Sequence, residues 1–61
     1  MKTALVRNFD GALTAIRNDY YRTNDEMAQD LRGNGYRVIN VWDGDKTNEE
    51  IDIWMLYHGR Y

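Results

Sequence analysis

The stretch from Thr23 to Gly35 constrains the fold most, because it carries the start, body and end signals of one helix. Thr23 followed by Glu26 has the spacing of a capping box, in which the threonine oxygen accepts a hydrogen bond from the backbone N–H three residues on. Glu26 also places negative charge in the first turn and Arg32 places positive charge in the last, as the helix dipole favours. Either Gly33 or Gly35 can adopt the left-handed conformation that ends such a helix.

The apolar side of this helix is narrow and consists of Met27, Ala28 and Leu31, at positions i, i+1 and i+4. A helix of about three turns is marginal in water by itself, so this stripe must pack against another element. The segments before and after it are rich in strand-forming residues. We therefore expect the helix to lie on a sheet.

Residues 3–9 and 12–20 are predicted to be two strands that are joined by the Asp-Gly dipeptide at 10–11. Asp-Gly between two apolar runs is a strong hairpin signal, because both positions of the turn need a positive φ. With a two-residue turn Leu5 faces Ile16, whereas a three-residue turn shifts the pairing by one. The sequence leaves both registers open.

Residues 36–42 form a third predicted strand. It is apolar on both faces and is therefore expected to be central in the sheet or covered on both sides. The segment 43–50 is strongly polar and is predicted to be a loop. A calcium-binding loop of the EF-hand type is excluded, because the sixth and twelfth positions counted from Asp43 are Asn48 and Trp54 rather than glycine and glutamate.

Residues 51–57 alternate between apolar and polar at first and then become continuously apolar, which favours a fourth strand. Thr47 and Glu50 repeat the capping-box spacing, so a helix that begins at Asn48 is the alternative. The preferred order is β–β–α–β–β, a small antiparallel sheet with one helix packed on one face. We expect a single α+β domain over residues 1–61.

Composition argues against several classes of function. The chain has 61 residues, no cysteine and one histidine, His58, so disulfides, thiolate metal sites and histidine metal sites are not expected. The motif Gly-x-Ser-x-Gly is also missing, and one helix on one sheet leaves little volume for a catalytic pocket. We expect no enzymatic activity and no cofactor. The apolar run 4–6 is too short for a signal peptide or a membrane span, which indicates a cytoplasmic protein.

The charge is unevenly distributed along the chain. Residues 1–38 carry six Lys and Arg against five acids, whereas residues 39–61 carry two against five. A nucleic-acid-binding domain usually shows a basic excess, so this balance argues against such a role. Arg7, Arg17 and Arg37 lie on predicted strands, however, and with aromatic rings they could bind single-stranded nucleic acid as RRM-like sheets do. A small nucleic-acid-binding domain is therefore the alternative function.

Aromatic residues make up 13% of the chain, and one helix of about ten residues cannot cover a four-stranded sheet. Some rings should therefore line an uncovered surface, as they do in interface hot spots. The alternative is that Trp42 and Trp54 form the core. The predicted partner-binding surface combines the rings and acids around the 43–50 loop: Trp42, Asp43, Asp45, Glu49, Glu50, Trp54 and Tyr57.

Residues 23–38, Thr-Asn-Asp-Glu-Met-Ala-Gln-Asp-Leu-Arg-Gly-Asn-Gly-Tyr-Arg-Val, are similar to helix-to-strand segments of small phage and plasmid proteins. A short, cysteine-free α+β domain with acidic loops and surplus aromatic residues resembles the accessory proteins of bacteriophages and mobile elements. Several of those proteins bind and block a host enzyme or a defence complex. The resemblance implies a non-enzymatic inhibitor whose partner is a host protein. A homodimer that pairs its sheets by their edges or faces is a further alternative.

Overall fold

The first strand of the chain lies at the centre of a three-stranded antiparallel sheet. The computed structural model describes residues 1–58, which form β1 (Lys2–Arg7), β2 (Leu13–Asn18), α1 (Asn24–Gly33), β3 (Arg37–Asp43) and α2 (Asn48–His58). β1 pairs with β2 on one side and with β3 on the other, so β2 and β3 are the edge strands. The predicted α+β class and antiparallel sheet are confirmed.

The hairpin between β1 and β2 turns through the three-residue loop 9–11, and both strands are shorter than predicted. The Asn8 N–H donates to the Ala12 carbonyl at 2.9 Å, and the Gly11 N–H donates to the Asn8 carbonyl at 3.0 Å. Gly11 has a φ of 86°, the left-handed conformation that the third residue of such a loop adopts. The longer of the two possible turns therefore sets the register.

α1 begins and ends where its sequence signals predict. The Thr23 hydroxyl accepts a hydrogen bond from the Glu26 N–H at 3.1 Å. Gly35 has a φ of 95°. Its N–H and that of the next residue donate to the carbonyls of Arg32 and Leu31, at 3.0 and 3.1 Å. These two bonds form a Schellman motif, so the second of the two candidate glycines ends the helix.

The main core lies between α1 and the sheet. It consists of two residues from β1 and two from α1, none more than 6% exposed: Ala4, Val6, Met27 and Leu31. Val38 and Val41 of β3 both pack against this core, although simple alternation would place them on opposite faces. An extra residue in β3, opposite the step from Leu5 to Val6, forms a bulge that shifts the alternation.

Residues 48–58 form α2 rather than a fourth strand, so the predicted order is wrong at its last element and the chain runs β–β–α–β–α. The helix that was the alternative begins at the predicted residue. The Thr47 hydroxyl accepts from the Glu50 N–H at 3.2 Å, and the Thr47 carbonyl accepts from the Ile51 N–H at 3.1 Å. The strand-like alternation covers only four residues, and the cap and the helical turns that follow it outweigh this short pattern.

α2 lies on the face of the sheet opposite to α1. Ile51, which is buried, and Met55 line a shallow groove together with Leu5 and Ala15. Leu5 alternates along β1 with residues that face α1, so it points to the other side. Each face of the sheet therefore carries a helix, and the prediction of one helix on one face is wrong. β3 is an edge strand, so the expectation that the third strand is central is wrong as well.

Candidate protein-interaction site

The two helices start alike but differ on their exposed sides. Each follows a threonine cap, with Thr-Asn-Asp-Glu-Met at 23–27 and Thr-Asn-Glu-Glu-Ile at 47–51, and each buries the fourth residue after the cap. At the sixth, ninth and tenth residues after the cap, α1 exposes Gln29, Arg32 and Gly33. At the same three places α2 exposes Ile53, Leu56 and Tyr57. A helix can lie on this sheet without apolar residues at these places, so folding alone does not account for them.

A groove of about 350 Å³ lies along one side of α2 and is called the α2 groove below. Trp42 of β3 meets Trp54 of α2 there edge to face, with ring centroids 5.3 Å apart. The His58 ring stacks on Trp54, with centroids 4.5 Å apart and planes 12° apart. Most of the lining is aromatic or aliphatic, and it consists of Trp42, Lys46, Glu50, Ile51, Ile53, Trp54, Tyr57 and His58.

Thr3 anchors the loop between β3 and α2 to the central strand. Its hydroxyl group, which is fully buried, donates to the Gly44 carbonyl at 2.8 Å and accepts from the Lys46 N–H at 3.0 Å. The Arg17 guanidinium of β2 donates to Asp45 at 2.8 Å and to the Lys46 carbonyl at 2.5 Å. These bonds fix the place at which α2 begins relative to the sheet.

Two acids of the 43–50 segment are held in their charged form by neighbours within the chain. The Lys2 ammonium donates a hydrogen bond to Asp43, and this bond, together with the lysine charge, holds the pKa of Asp43 below its ordinary value of 3.8. A hydrogen bond from the Thr47 backbone lowers the pKa of Glu50 below its ordinary value of 4.5, and Lys46, 3.4 Å away, contributes to the same shift. Both carboxylates already have a donor before any partner arrives.

Glu49 and Asp52 differ from these acids because, within residues 1–58, neither has an ion-pair or hydrogen-bond partner for its side chain. Both are exposed. Together with Ile53 and Leu56 they occupy positions i, i+3, i+4 and i+7, which lie on one side of a helix. The outer side of α2 therefore presents two carboxylates that have no partner among residues 1–58, followed by an apolar surface.

The structure brings together only part of the predicted partner-binding surface. The groove contains four of the predicted residues: Trp42, Glu50, Trp54 and Tyr57. Asp43 lies instead near the start of α1, Asp45 binds Arg17, and Glu49 lies on the outer side of α2. The acids thus do not form one rim around the tryptophans.

The sequence prediction missed Ile53, which lines the groove, and Leu56, which extends the apolar surface beyond it. The signal that identifies them is their spacing with Tyr57 at i, i+3 and i+4, which is visible only when residues 48–58 are treated as a helix. Trp42 and Trp54 are half-buried, and neither belongs to the main core.

The described residues show no arrangement for metal chemistry. Within residues 1–58, no group of three or more histidine or acidic side chains is placed to hold a metal ion. His58 stacks on Trp54, and its Nδ1 atom lies 2.9 Å from the Trp54 carbonyl oxygen. No helix in this part of the chain is long and apolar enough to cross a membrane.

No protein-family model matches the chain, and no curated protein or solved structure matches it either.

Proposed function

We propose that this protein is a non-enzymatic module that binds another protein through the α2 groove and the outer side of α2. The observation that carries the proposal is the exposure of Ile53, Leu56 and Tyr57, at 54%, 83% and 83%, beside the half-buried pair Trp42 and Trp54. Large aromatic and aliphatic side chains around a cleft are typical of interface hot spots. An apolar patch of this kind on a small domain marks an interaction surface.

The groove is also organised before a partner binds. Trp54 contacts the rings of both Trp42 and His58, and the loop that precedes α2 is tied to Thr3 by two hydrogen bonds. Side chains that are already ordered lose less conformational entropy on binding. This preorganisation supports a role in recognition.

Protein is favoured over nucleic acid as the partner. Sheets that stack bases need an open face, whereas here each face of the sheet carries a helix. The Arg17 guanidinium donates to three acceptors within the chain, on Asp45, Lys46 and Asn48. Inhibition of a host enzyme or a defence complex, which the phage-protein resemblance implies, stays a prediction.

Affinity capture from a bacterial lysate with three immobilised proteins tests the proposal. They are the wild type, Tyr57→Ser in the site and Tyr20→Ser as a matched control, since the two tyrosines are 83% and 80% exposed. We expect at least one protein to be retained by the wild type and by Tyr20→Ser, and to be reduced at least about tenfold on Tyr57→Ser. Quantitative mass spectrometry measures the ratio.

Identical retained proteins on all three surfaces would contradict the proposal. Circular dichroism and urea unfolding of both variants must show that they are folded, and the high exposure of both tyrosines makes this the expected result.

A further inference from the structure

The outer side of α2 combines charge and apolar surface within a short distance. Glu49 and Asp52, which have no ion-pair partner among the described residues, share one side of the helix with Ile53 and Leu56. The backbone positions of Glu49 and Leu56 are about 10 Å apart along the helix axis. A single segment of a partner can therefore contact the carboxylates and the apolar residues at once.

The uncompensated charge on α2 has one sign. Residues 43–58 contain five acids, and three of them have a cation partner: Asp43 with Lys2, Asp45 with Arg17 and Glu50 with Lys46. Among the described residues this leaves the carboxylates of Glu49 and Asp52 without such a partner. Unpaired negative charge favours encounter with positive segments.

We infer that the partner of α2 is a basic segment of a protein, in which a bulky apolar side chain enters the α2 groove and Lys or Arg residues reach Glu49 and Asp52. If that segment is helical, its cations lie about four and seven residues from the residue that packs on Leu56, to match the spacing from Leu56 to the two acids. This inference rests on the proposed function, because it specifies the partner of the same surface.

A second copy of the chain is a poorer occupant of this surface, because α2 contains no Lys or Arg. Antiparallel pairing of two α2 helices would place Glu49 and Asp52 against the apolar half of the other helix, and parallel pairing would place acids against acids. Either arrangement removes carboxylates from water without a compensating cation, which is unfavourable.

Selection from a displayed library of random peptides, each long enough for four helical turns, tests the inference without a known partner. The wild type is the bait and Leu56→Asp is the counter-selection bait, with Tyr57→Ser as a second one should Leu56→Asp fail to fold. We expect the peptides that are retained only by the wild type to contain more Lys and Arg than the unselected library, next to a large apolar residue.

A selected peptide that lacks tryptophan is then titrated, with the fluorescence of Trp42 and Trp54 as the signal. Replacing both outer acids, by Glu49→Gln and Asp52→Asn, should weaken binding about threefold to tenfold at low salt. The difference should vanish at high salt, where exposed charges are screened. Asp25→Asn is the matched control, because Asp25 follows the cap of α1 at the same distance as Glu49 follows that of α2, and it should leave binding unchanged.

The outcomes separate the inference from the proposed function. Peptides that depend on Leu56 but carry no basic excess would overturn the inference and leave the proposed function standing. If no selected peptide depends on Leu56 or Tyr57, both are wrong. Light scattering measures whether the wild type forms a dimer. A dimer that is lost in Leu56→Asp would show that a second copy of the chain occupies the surface, and it would overturn the inference of a basic partner.

Discussion

The rings of Trp42 and Trp54 meet edge to face, with their centroids 5.3 Å apart and their planes at 90°. One ring belongs to the edge strand β3 and the other to α2, so this contact joins the second helix to the sheet. We expect it to contribute about 0.5–1.5 kcal/mol beyond the burial of the two side chains. A double-mutant cycle with Trp42→Leu and Trp54→Leu, followed by urea unfolding, measures this coupling. A coupling energy near zero would show that the two rings act independently.

The two helices should respond differently to the same truncation of a leucine. Leu31 of α1 is 6% exposed, whereas Leu56 of α2 is 83% exposed. Leu31→Ala should lower the free energy of unfolding by about 2–5 kcal/mol, and Leu56→Ala should change it by less than about 0.5 kcal/mol. Urea denaturation of the two variants makes the comparison. Similar losses would mean that the outer side of α2 is needed for folding.

Two glycines near the end of α1 should give opposite results when they are replaced by alanine. A Cβ atom on Gly33 would have no neighbour within 4 Å, and Gly33→Ala should stabilise the helix by about 0.5–1 kcal/mol. Gly35 has a φ of 95°, and a Cβ atom there would lie 3.0 Å from the Phe9 ring. Gly35→Ala should therefore destabilise the protein by at least about 1–2 kcal/mol.

Thermal unfolding of the two glycine variants shows the sign of each effect. Adding Phe9→Ala to Gly35→Ala should recover only the part that is due to the close contact, because the backbone strain stays. Full recovery would show that the left-handed conformation at Gly35 is not the cause.

Acid should weaken the fold partly through Asp43 and Glu50. Both have a folded pKa below the ordinary values of 3.8 and 4.5. As the pH falls, the unfolded chain binds protons at these groups first. Their contribution to stability is therefore complete above the ordinary values and is lost as the pH falls through the folded ones.

Urea midpoints measured from neutral pH down to pH values below these pKa values test this pH dependence. Glu50→Gln should show a smaller acid-induced loss than the wild type. Asp52→Asn is the control, because it removes a carboxylate that has no ion-pair partner among residues 1–58. An equal loss in Glu50→Gln and in the wild type would rule out Glu50 as a source of the acid sensitivity.

α1 could be predicted from the sequence because all the local signals between Thr23 and Gly35 indicate the same helix, and tertiary packing does not contradict them. The place of the hairpin was equally clear. Its register was not, because Asp-Gly fits the last two residues of a three-residue loop as well as a two-residue turn. No sequence pattern in residues 36–42 predicts the bulge in β3.

α2 was predicted wrongly because its apolar residues occupy the exposed side as well as the buried one. Interpretation of a sequence pattern assumes that apolar residues are buried, and Ile53 and Leu56 do not follow this rule. The exposure of these two apolar residues, which made the helix hard to predict, is also the basis of the candidate site. The sequence therefore identified Trp42, Trp54 and Tyr57 of the groove, but neither Ile53 in the groove nor Leu56 beyond it.

The acids of the 43–50 segment could not be assigned to one surface from the sequence. Asp43 binds a lysine that lies 41 positions earlier in the chain, and Asp45 binds an arginine that lies 28 positions earlier. Such pairings depend on the order of the strands, and the order of the strands depends on the whole fold. Because these acids are close together in the sequence, they were expected to form one rim. In the fold Asp43 and Asp45 instead bind partners on opposite faces of the sheet.

The central position of β1 also determines how the chain folds during synthesis. β1 leaves the ribosome first, and β2 follows it after a short loop, but β3 begins only at Arg37. A hairpin of two strands is marginal in water by itself. The second edge of β1 therefore has no partner until α1 and β3 have been made. Pairing β1 with β3 closes a longer loop than the β1–β2 hairpin does, which costs chain entropy. The three-stranded sheet is therefore incomplete until Asp43, the last residue of β3, has been made.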